Sequence, residues 1–108
     1  MIKKTVMIHR TEWRNSKGKL HRIKGPACEY ANGNKSWYIN GKLHRKDGPA
    51  VELSNESKYW FINGKYHRED GPAIEYADGY KEYWINDQQI NCNSNEEFLR
   101  IVKMKAFL

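Results

Sequence analysis

The chain has 108 residues, of which 39% are hydrophobic and 30% charged, and it carries a formal net charge of +6. This length predicts a single domain over residues 1–108, and no apolar run approaches the ~20 residues that span a bilayer. The aromatic share of 13% argues against disorder, because disordered chains contain few aromatic residues. We therefore expect one folded domain with a thin core of aromatic and β-branched side chains.

The positive charge is concentrated in the first half of the chain. Residues 1–46 hold twelve Lys and Arg against two acids, a balance of +10, whereas residues 47–108 hold seven against eleven, a balance of −4. A basic region attracts nucleic acid, anionic lipid or an acidic protein. The alternative is a solvated surface, since no run of Lys and Arg exceeds two. The candidate anion- or nucleic-acid-binding residues are Lys17, Lys19, Arg22, Lys24 and Arg45.

The N-terminal segment starts like an export signal, with two lysines before a short apolar stretch. Polar residues from His9 onward interrupt that stretch, so we expect a β-strand instead. This strand lies within an N-terminal strand or cap of residues 1–17. Without an export signal, and with only two cysteines, the sequence predicts a cytoplasmic protein in a reducing compartment.

Residues 18–90 contain one motif three times. Gly-Lys-Leu-His-Arg at 18–22 recurs at 41–45 and, with Tyr for Leu, at 64–68, so the offset is 23 residues each time. A Gly-Pro-Ala follows each copy. A fixed period of this length indicates one structural unit stacked on copies of itself. Such an array forms a surface or scaffold, whereas an enzyme normally assembles one site from unlike residues.

Each unit carries turn signals and strand-forming segments. Asn-Gly at 40–41 and 63–64 is the strongest short-range hairpin signal, because a type I′ turn needs positive φ at both central residues. The segments at 35–39 and 58–62 are rich in residues that favour strands. The sequence therefore predicts an all-β fold of tandem 23-residue β-hairpins that form an extended antiparallel sheet.

Alternation along these strands assigns their side chains to two faces. Trp37 and Trp60 share one face and are expected in the core, while Cys28, which aligns with later apolar residues, is expected as a small core residue. The opposite face carries an aromatic row. Either the His-Arg loop covers this row, or the row is exposed and is the candidate protein-binding surface. The row consists of Tyr38, Phe61 and Trp84.

The pattern changes to helical spacing after Ser94. Ser94 and Glu97 form a capping box, and Phe98, Ile101 and Val102 follow on one face, with Leu99 widening the apolar stripe. We predict a C-terminal helix within residues 94–107, its turns spanning 95–106. This helix is expected to cover the open end of the sheet and prevent edge-to-edge association.

One His-Arg pair per unit suggests a metal site, a catalytic site or a structural brace. A zinc ion needs three or four converging ligands, whereas stacked units would hold one histidine each in a row. Identical His–Asp pairs favour a repeated brace over one acid–base site. We expect the His and Arg side chains to hydrogen-bond the Asp-Gly-Pro turn and the strand glutamates, and we predict no catalytic residues, metal or cofactor; the alternative is an arginine ladder that binds phosphates or carboxylates. The predicted brace residues are His21, His44, His67, Asp47 and Asp70.

The stretch from Trp60 to Tyr76 reads W-F-I-N-G-K-Y-H-R-E-D-G-P-A-I-E-Y. It resembles the W-x-x-N-G-x-x-H-R-x-D-G-P-A repeats of bacteriophage, bacterial and giant-virus proteins, which are similar to the stacked hairpins of MORN repeats. The resemblance covers Gly18 to about Asn86, although Lys24 replaces the aspartate of the other units.

The resemblance implies a non-catalytic binding or scaffolding module. Members of this broad group have been linked to protein partners, to membrane lipids and to antitoxin-like roles. We therefore expect an accessory or inhibitor protein of a virus or mobile element that acts by binding a host or viral protein. Weak, non-specific nucleic-acid binding through the basic half is the alternative, and self-association stays open.

Overall fold

The computed structural model describes residues 1–105, in which the chain forms thirteen short strands and one helix. In chain order these are β1 (Lys3–Val6), β2 (Arg10–Arg14), β3 (Cys28–Tyr30), β4 (Lys35–Ser36), β5 (Tyr38–Ile39), β6 (Lys42–Leu43), β7 (Val51–Glu52), β8 (Lys58–Tyr59), β9 (Phe61–Ile62), β10 (Lys65–Tyr66), β11 (Ile74–Glu75), β12 (Lys81–Ile85), β13 (Gln88–Ile90) and α1 (Asn95–Lys105).

Nine of the described strands form one antiparallel sheet in the order β1-β2-β3-β4-β7-β8-β11-β12-β13. The strands that this order skips form two separate hairpins, β5–β6 and β9–β10. The molecule is a thin slab of 44 × 31 × 18 Å. The predicted fold class, antiparallel hairpin repeats followed by a short C-terminal helix, is confirmed.

The hairpin turns have the predicted backbone conformation. Asn40 and Gly41 have φ of 50° and 83°, and Asn63 and Gly64 have φ of 51° and 79°. Both central residues of each turn are therefore left-handed, as a type I′ turn requires. The turns also join neighbouring units, because the N–H of Gly64 donates to the carbonyl of Leu43 (2.8 Å) in the preceding hairpin.

The strand predicted over residues 35–39 is interrupted at Trp37, and that over 58–62 at Trp60. The N–H of Trp37 donates to the carbonyl of Ala50 (2.7 Å), which immediately precedes β7 of the large sheet, whereas its carbonyl accepts from the N–H of His44 in its own hairpin (3.0 Å). The chain thus changes pairing partner at the tryptophan. Each unit therefore contributes strands to the large sheet and a hairpin that projects from it.

The pairing pattern of the repeat is already present in β2. Residues 1–17 contain two strands, and β2 already carries Trp13, whose N–H donates to the carbonyl of Ala27 (2.8 Å) as Trp37 does to Ala50. His21 closes this hairpin by donating its N–H to the carbonyl of Trp13 (2.9 Å). β1 is therefore an edge strand of the large sheet, and β2 carries the tryptophan of the first unit.

The core is thin and follows the repeat. Ala27, Ala50 and Ala73 are completely buried, and Cys28 and Ile74 are 3% exposed. Next to this buried row, the register places glutamates and lysines directly opposite each other across the large sheet, for example Glu29↔Lys35 and Lys35↔Glu52. Adjacent residues of a strand point to opposite faces, so these charges lie on the face away from Cys28.

The helix α1 begins as predicted, with Ser94 as its N-cap: the N–H of Glu97 donates to Oγ of Ser94 (3.1 Å). Its fully buried residue is Phe98, which packs on Tyr83 with ring centroids 4.7 Å apart. The end of the predicted helix, residues 106–107, lies outside the described residues. Within residues 1–105 no helix has the length and apolarity needed to cross a bilayer.

Candidate interaction site

Three arginines lie flat over three tryptophans on one face of the molecule. The guanidinium carbon of Arg68 is 3.9 Å from the ring centroid of Trp60. The same stacking joins Arg45 to Trp37 (3.9 Å) and Arg22 to Trp13 (3.8 Å). The tryptophans expected in the core are therefore half-buried under arginine. Nothing in the sequence analysis anticipated this stacking, although the constant Trp-to-Arg spacing in the second and third units was its signal.

The arginines also hold the segments that join one unit to the next, which we call the connectors: residues 21–26, 44–49 and 67–72. Nη1 of Arg68 donates to the carbonyl of Pro72 (3.0 Å) and to the carboxylate of Glu75 (3.4 Å), and its Nε donates to Asp70 (2.9 Å). Arg45 makes the same three bonds in the second connector. The expected bonds to the turn and to the strand glutamate are thus present for arginine.

The histidines bond elsewhere than expected. Nδ1 of His44 accepts the N–H of Asn63 (3.0 Å) in the turn of the following unit, and Nδ1 of His67 accepts the N–H of Asn86 (3.1 Å). His21 does the same for Asn40 (2.9 Å). An imidazole nitrogen that accepts a hydrogen bond carries no proton. Each histidine therefore links two units, whereas Asp47 and Asp70, 90% and 86% exposed, pair with the connector arginines.

The aromatic row of Tyr38, Phe61 and Trp84 lies on the opposite face of the hairpins from the arginine-covered tryptophans. The side chains of the loop's arginines stack on the tryptophans and not on this row. All three residues are half-buried. Tyr66 joins the row into a cluster, with ring centroids 4.3 Å from Phe61 and 5.3 Å from Trp84.

A second aromatic cluster lies on the face of the large sheet that carries Cys28. Tyr76 contacts Tyr59 edge-on at 6.1 Å and stacks on Tyr80 at 5.8 Å, and Tyr80 is 60% exposed. The hydroxyl of Tyr76 donates to Glu82 (3.3 Å), which also accepts from the indole of Trp84 (3.0 Å). Burial and the Glu82 carboxylate raise the pKa of Tyr76. The sequence analysis missed this cluster, because Tyr76 and Tyr80 lie outside the strands and meet across the turn between β11 and β12.

The connector face contains two grooves, each between successive connectors. Trp37 and Ile39 line the first groove, and Trp60 and Ile62 line the second; we call each of these apolar pairs the floor of its groove. The walls are the charged residues of the connectors. Both grooves thus have an apolar floor and charged rims, and they recur at the repeat spacing.

The predicted anion-binding residues fall into two groups. Lys17, Lys19 and Lys24 are exposed. The side chains of Arg22 and Arg45 are only 30% and 22% exposed, because they stack on tryptophans and pair with Glu29 (3.3 Å) and Glu52 (3.0 Å).

Residues 1–105 bring no three His, Cys, Asp or Glu side chains together in a way that could hold a metal ion. Cys28 is buried, and burial, followed by the Glu12 carboxylate, raises the pKa of its thiol. No protein-family model, curated protein or solved structure matches the chain.

Proposed function

We propose that this chain is a non-catalytic interaction module that binds another protein through its connector face. The observation that carries the proposal is the repetition of one groove, with a floor of Trp and Ile and rims of charged connector residues, at a 23-residue spacing. An apolar centre with a polar rim is the usual composition of a protein interface. A repeated groove suits an extended segment that makes the same contact twice.

The connectors are ordered before any partner arrives. Each arginine is held by stacking on tryptophan and by bonds to a carbonyl and a carboxylate, as Arg68 shows with Trp60, Pro72 and Glu75. A surface that is already rigid loses little conformational entropy on binding. This supports a binding role for the grooves as well as a structural role for the arginines.

The aromatic row of Tyr38, Phe61 and Trp84 is a second candidate contact of the same module. Its residues are half-buried, so a partner would contact only their exposed edges. The motif resemblance adds the proposal that the protein is an accessory or inhibitor of a virus or mobile element acting in the host cytoplasm.

Nucleic-acid binding is the alternative function, supported by the exposed lysines Lys17, Lys19 and Lys24 in the basic half. Binding to phosphates weakens steeply with salt because it releases counterions. A gel-shift titration should show weak binding that is lost by ~200 mM salt. Tight binding at that salt would favour nucleic acid as the partner.

The test of the main proposal is affinity capture from native cytoplasm, with nuclease treatment and mass spectrometry. The wild type is compared with Ile62→Glu, which places a charge in the second groove, and with Phe61→Ala in the aromatic row. A protein captured by the wild type, retained by Phe61→Ala and lost by a folded Ile62→Glu supports the connector face. Loss with Phe61→Ala alone would move the interface to the aromatic row, and equal capture by all three would reject both surfaces.

A further inference from the structure

The first connector departs from the other two at one position. In the second and third units, Nε of Arg45 and of Arg68 donates to the carboxylate of Asp47 (3.3 Å) and of Asp70 (2.9 Å). Lys24 occupies the corresponding position in the first unit. In two connectors a carboxylate of the chain itself occupies the position next to the arginine Nε. In the first connector, a lysine borders that position instead.

We propose that this place binds a carboxylate from the protein partner, the side chain of an aspartate or glutamate in an extended acidic segment. Arg22 is already held in the required orientation, with its guanidinium carbon 3.8 Å from the ring centroid of Trp13 and its Nη1 donating to the carbonyl of Pro26 (3.2 Å). Its Nε has no acceptor in the described part of the chain, although the same atom of Arg45 and of Arg68 has one. A fixed guanidinium edge recognises carboxylates well.

The charge of the surrounding groove favours an acidic occupant. Among the described residues, four basic side chains and one carboxylate line the first groove, whereas three basic side chains and three carboxylates line the second. The carboxylate of the first groove belongs to Asp47, which is bonded to Arg45. Lys24 and Lys46 are exposed on its rim. The lining of the first groove thus carries a net positive charge, which is complementary to an acidic ligand. In the lining of the second groove the positive and negative charges are equal in number.

The apolar residues that line the first groove indicate what the partner's segment carries next to its acidic residues. Ile23, which is 79% exposed, lies on its wall, and Trp37 and Ile39 form its floor. A carboxylate at Arg22 and Lys24 therefore has an apolar neighbour in the same groove. The segment that fits has acidic residues next to a leucine-sized apolar side chain, and this assignment rests on the proposed function of the connector face.

The test uses a labelled peptide of alternating glutamate and leucine, with a glutamine-for-glutamate peptide as control, in fluorescence anisotropy at low salt. Lys24→Asp introduces the residue found in the other connectors. Its carboxylate should accept the hydrogen bond from Nε of Arg22 in place of a ligand and weaken binding of the acidic peptide about tenfold or more. Asp47→Lys copies the first connector into the second and should strengthen binding. Thermal melts establish that both variants are folded.

Three results would overturn the assignment: no binding of the acidic peptide by the wild type, equal binding by Lys24→Asp, or equal binding of the glutamine peptide. Stronger binding of a single-stranded oligonucleotide with the same dependence on Lys24 would assign the site to phosphate instead. The capture experiment separates this inference from the proposed function. If the partner is still captured by Lys24→Asp but not by Ile62→Glu, the proposed binding through the connector face stands and the proposed carboxylate site is wrong.

Discussion

Arg68 lies flat on Trp60, 3.9 Å from guanidinium carbon to ring centroid, while its nitrogens bond the carbonyl of Pro72 and the carboxylates of Asp70 and Glu75. One side chain thus joins the hairpin, the connector and the next strand of the large sheet. The same arrangement recurs in the preceding unit around Arg45, so we expect it to contribute to the stability of each of these units.

Arg68→Lys should lower the free energy of unfolding by ~1–2 kcal/mol, because lysine keeps the charge but loses the planar stacking and the fixed set of hydrogen bonds. The side chain of Arg68 is 24% exposed, so solvent screens its ion pairs only in part. Urea unfolding followed by tryptophan fluorescence measures the change. Arg100→Lys on the exposed side of α1 is the matched control and should stay within ~0.5 kcal/mol of the wild type. Equal stability of both variants would mean that the stacking contributes nothing.

The histidines are expected to stabilise the stacking of units. His67→Ala removes the acceptor of the Asn86 N–H and should cost about 1 kcal/mol. Amide hydrogen exchange should accelerate specifically at Asn86. A loss of packing alone would instead accelerate exchange over the whole unit. His9→Ala, at an exposed position in the β1–β2 turn, is the control. Unchanged exchange at Asn86 would contradict the link between units.

Some of this architecture could be predicted from the sequence and some could not. The turns at Asn40 and Asn63 were predictable, because the Asn-Gly pair has a local backbone requirement. The break at Trp37 was not, since alternation continues through it and only the pairing partners change. The partner of each histidine was missed for a similar reason: it lies in the next unit, 19 residues away in the chain. Such contacts depend on how successive units stack, and the motif of a single unit carries no information on that stacking.

The candidate site shows the same division. The lysines of the basic half could be identified from the sequence, but the stacking and pairing that partly bury Arg22 and Arg45 required the structure. Lys24 was visible in the sequence as a departure from the aspartates of the other units. That those aspartates accept hydrogen bonds from the arginine Nε atoms is visible only in the structure.

Glu12 makes the stability depend on pH in the acid range. Its side chain is 4% exposed and lies between Arg10 (2.8 Å) and Arg14 (3.0 Å). Burial alone would raise the pKa of Glu12, but hydrogen bonds and charge from Arg14 and Arg10 outweigh it and lower the pKa below its ordinary value of 4.5. The stabilisation from Glu12 is therefore fully present above pH 4.5 and is lost as the pH falls through the lower folded-state pKa.

Glu12→Gln should accordingly cost ~1.5–3 kcal/mol near neutral pH, and the difference from the wild type should shrink as the pH falls below 4.5. Thermal melts of both proteins between neutral pH and pH 3 measure it. Glu56→Gln, at an exposed turn position, is the control with the same change of charge. A difference that stays constant over this range would show that the stabilisation does not come from the ionised form of Glu12.

In the last unit, a side chain of helix α1 takes the place of the stacked arginine. Tyr83 is the counterpart of Trp60, but Asn91 stands where the connector arginine would be, and Phe98 of α1 packs on Tyr83 instead (4.7 Å). Phe98→Ala empties the fully buried site and should cost ~3–5 kcal/mol, with a loss of helical circular dichroism because Phe98 is the buried side chain of α1. Leu99→Ala removes an apolar side chain that is 42% exposed one position along the same helix, and it should change the melting temperature by only a few degrees. If the two variants were equally stable, the helix would not close the array through Phe98, and the end of the sheet would have to be stabilised by β13 alone.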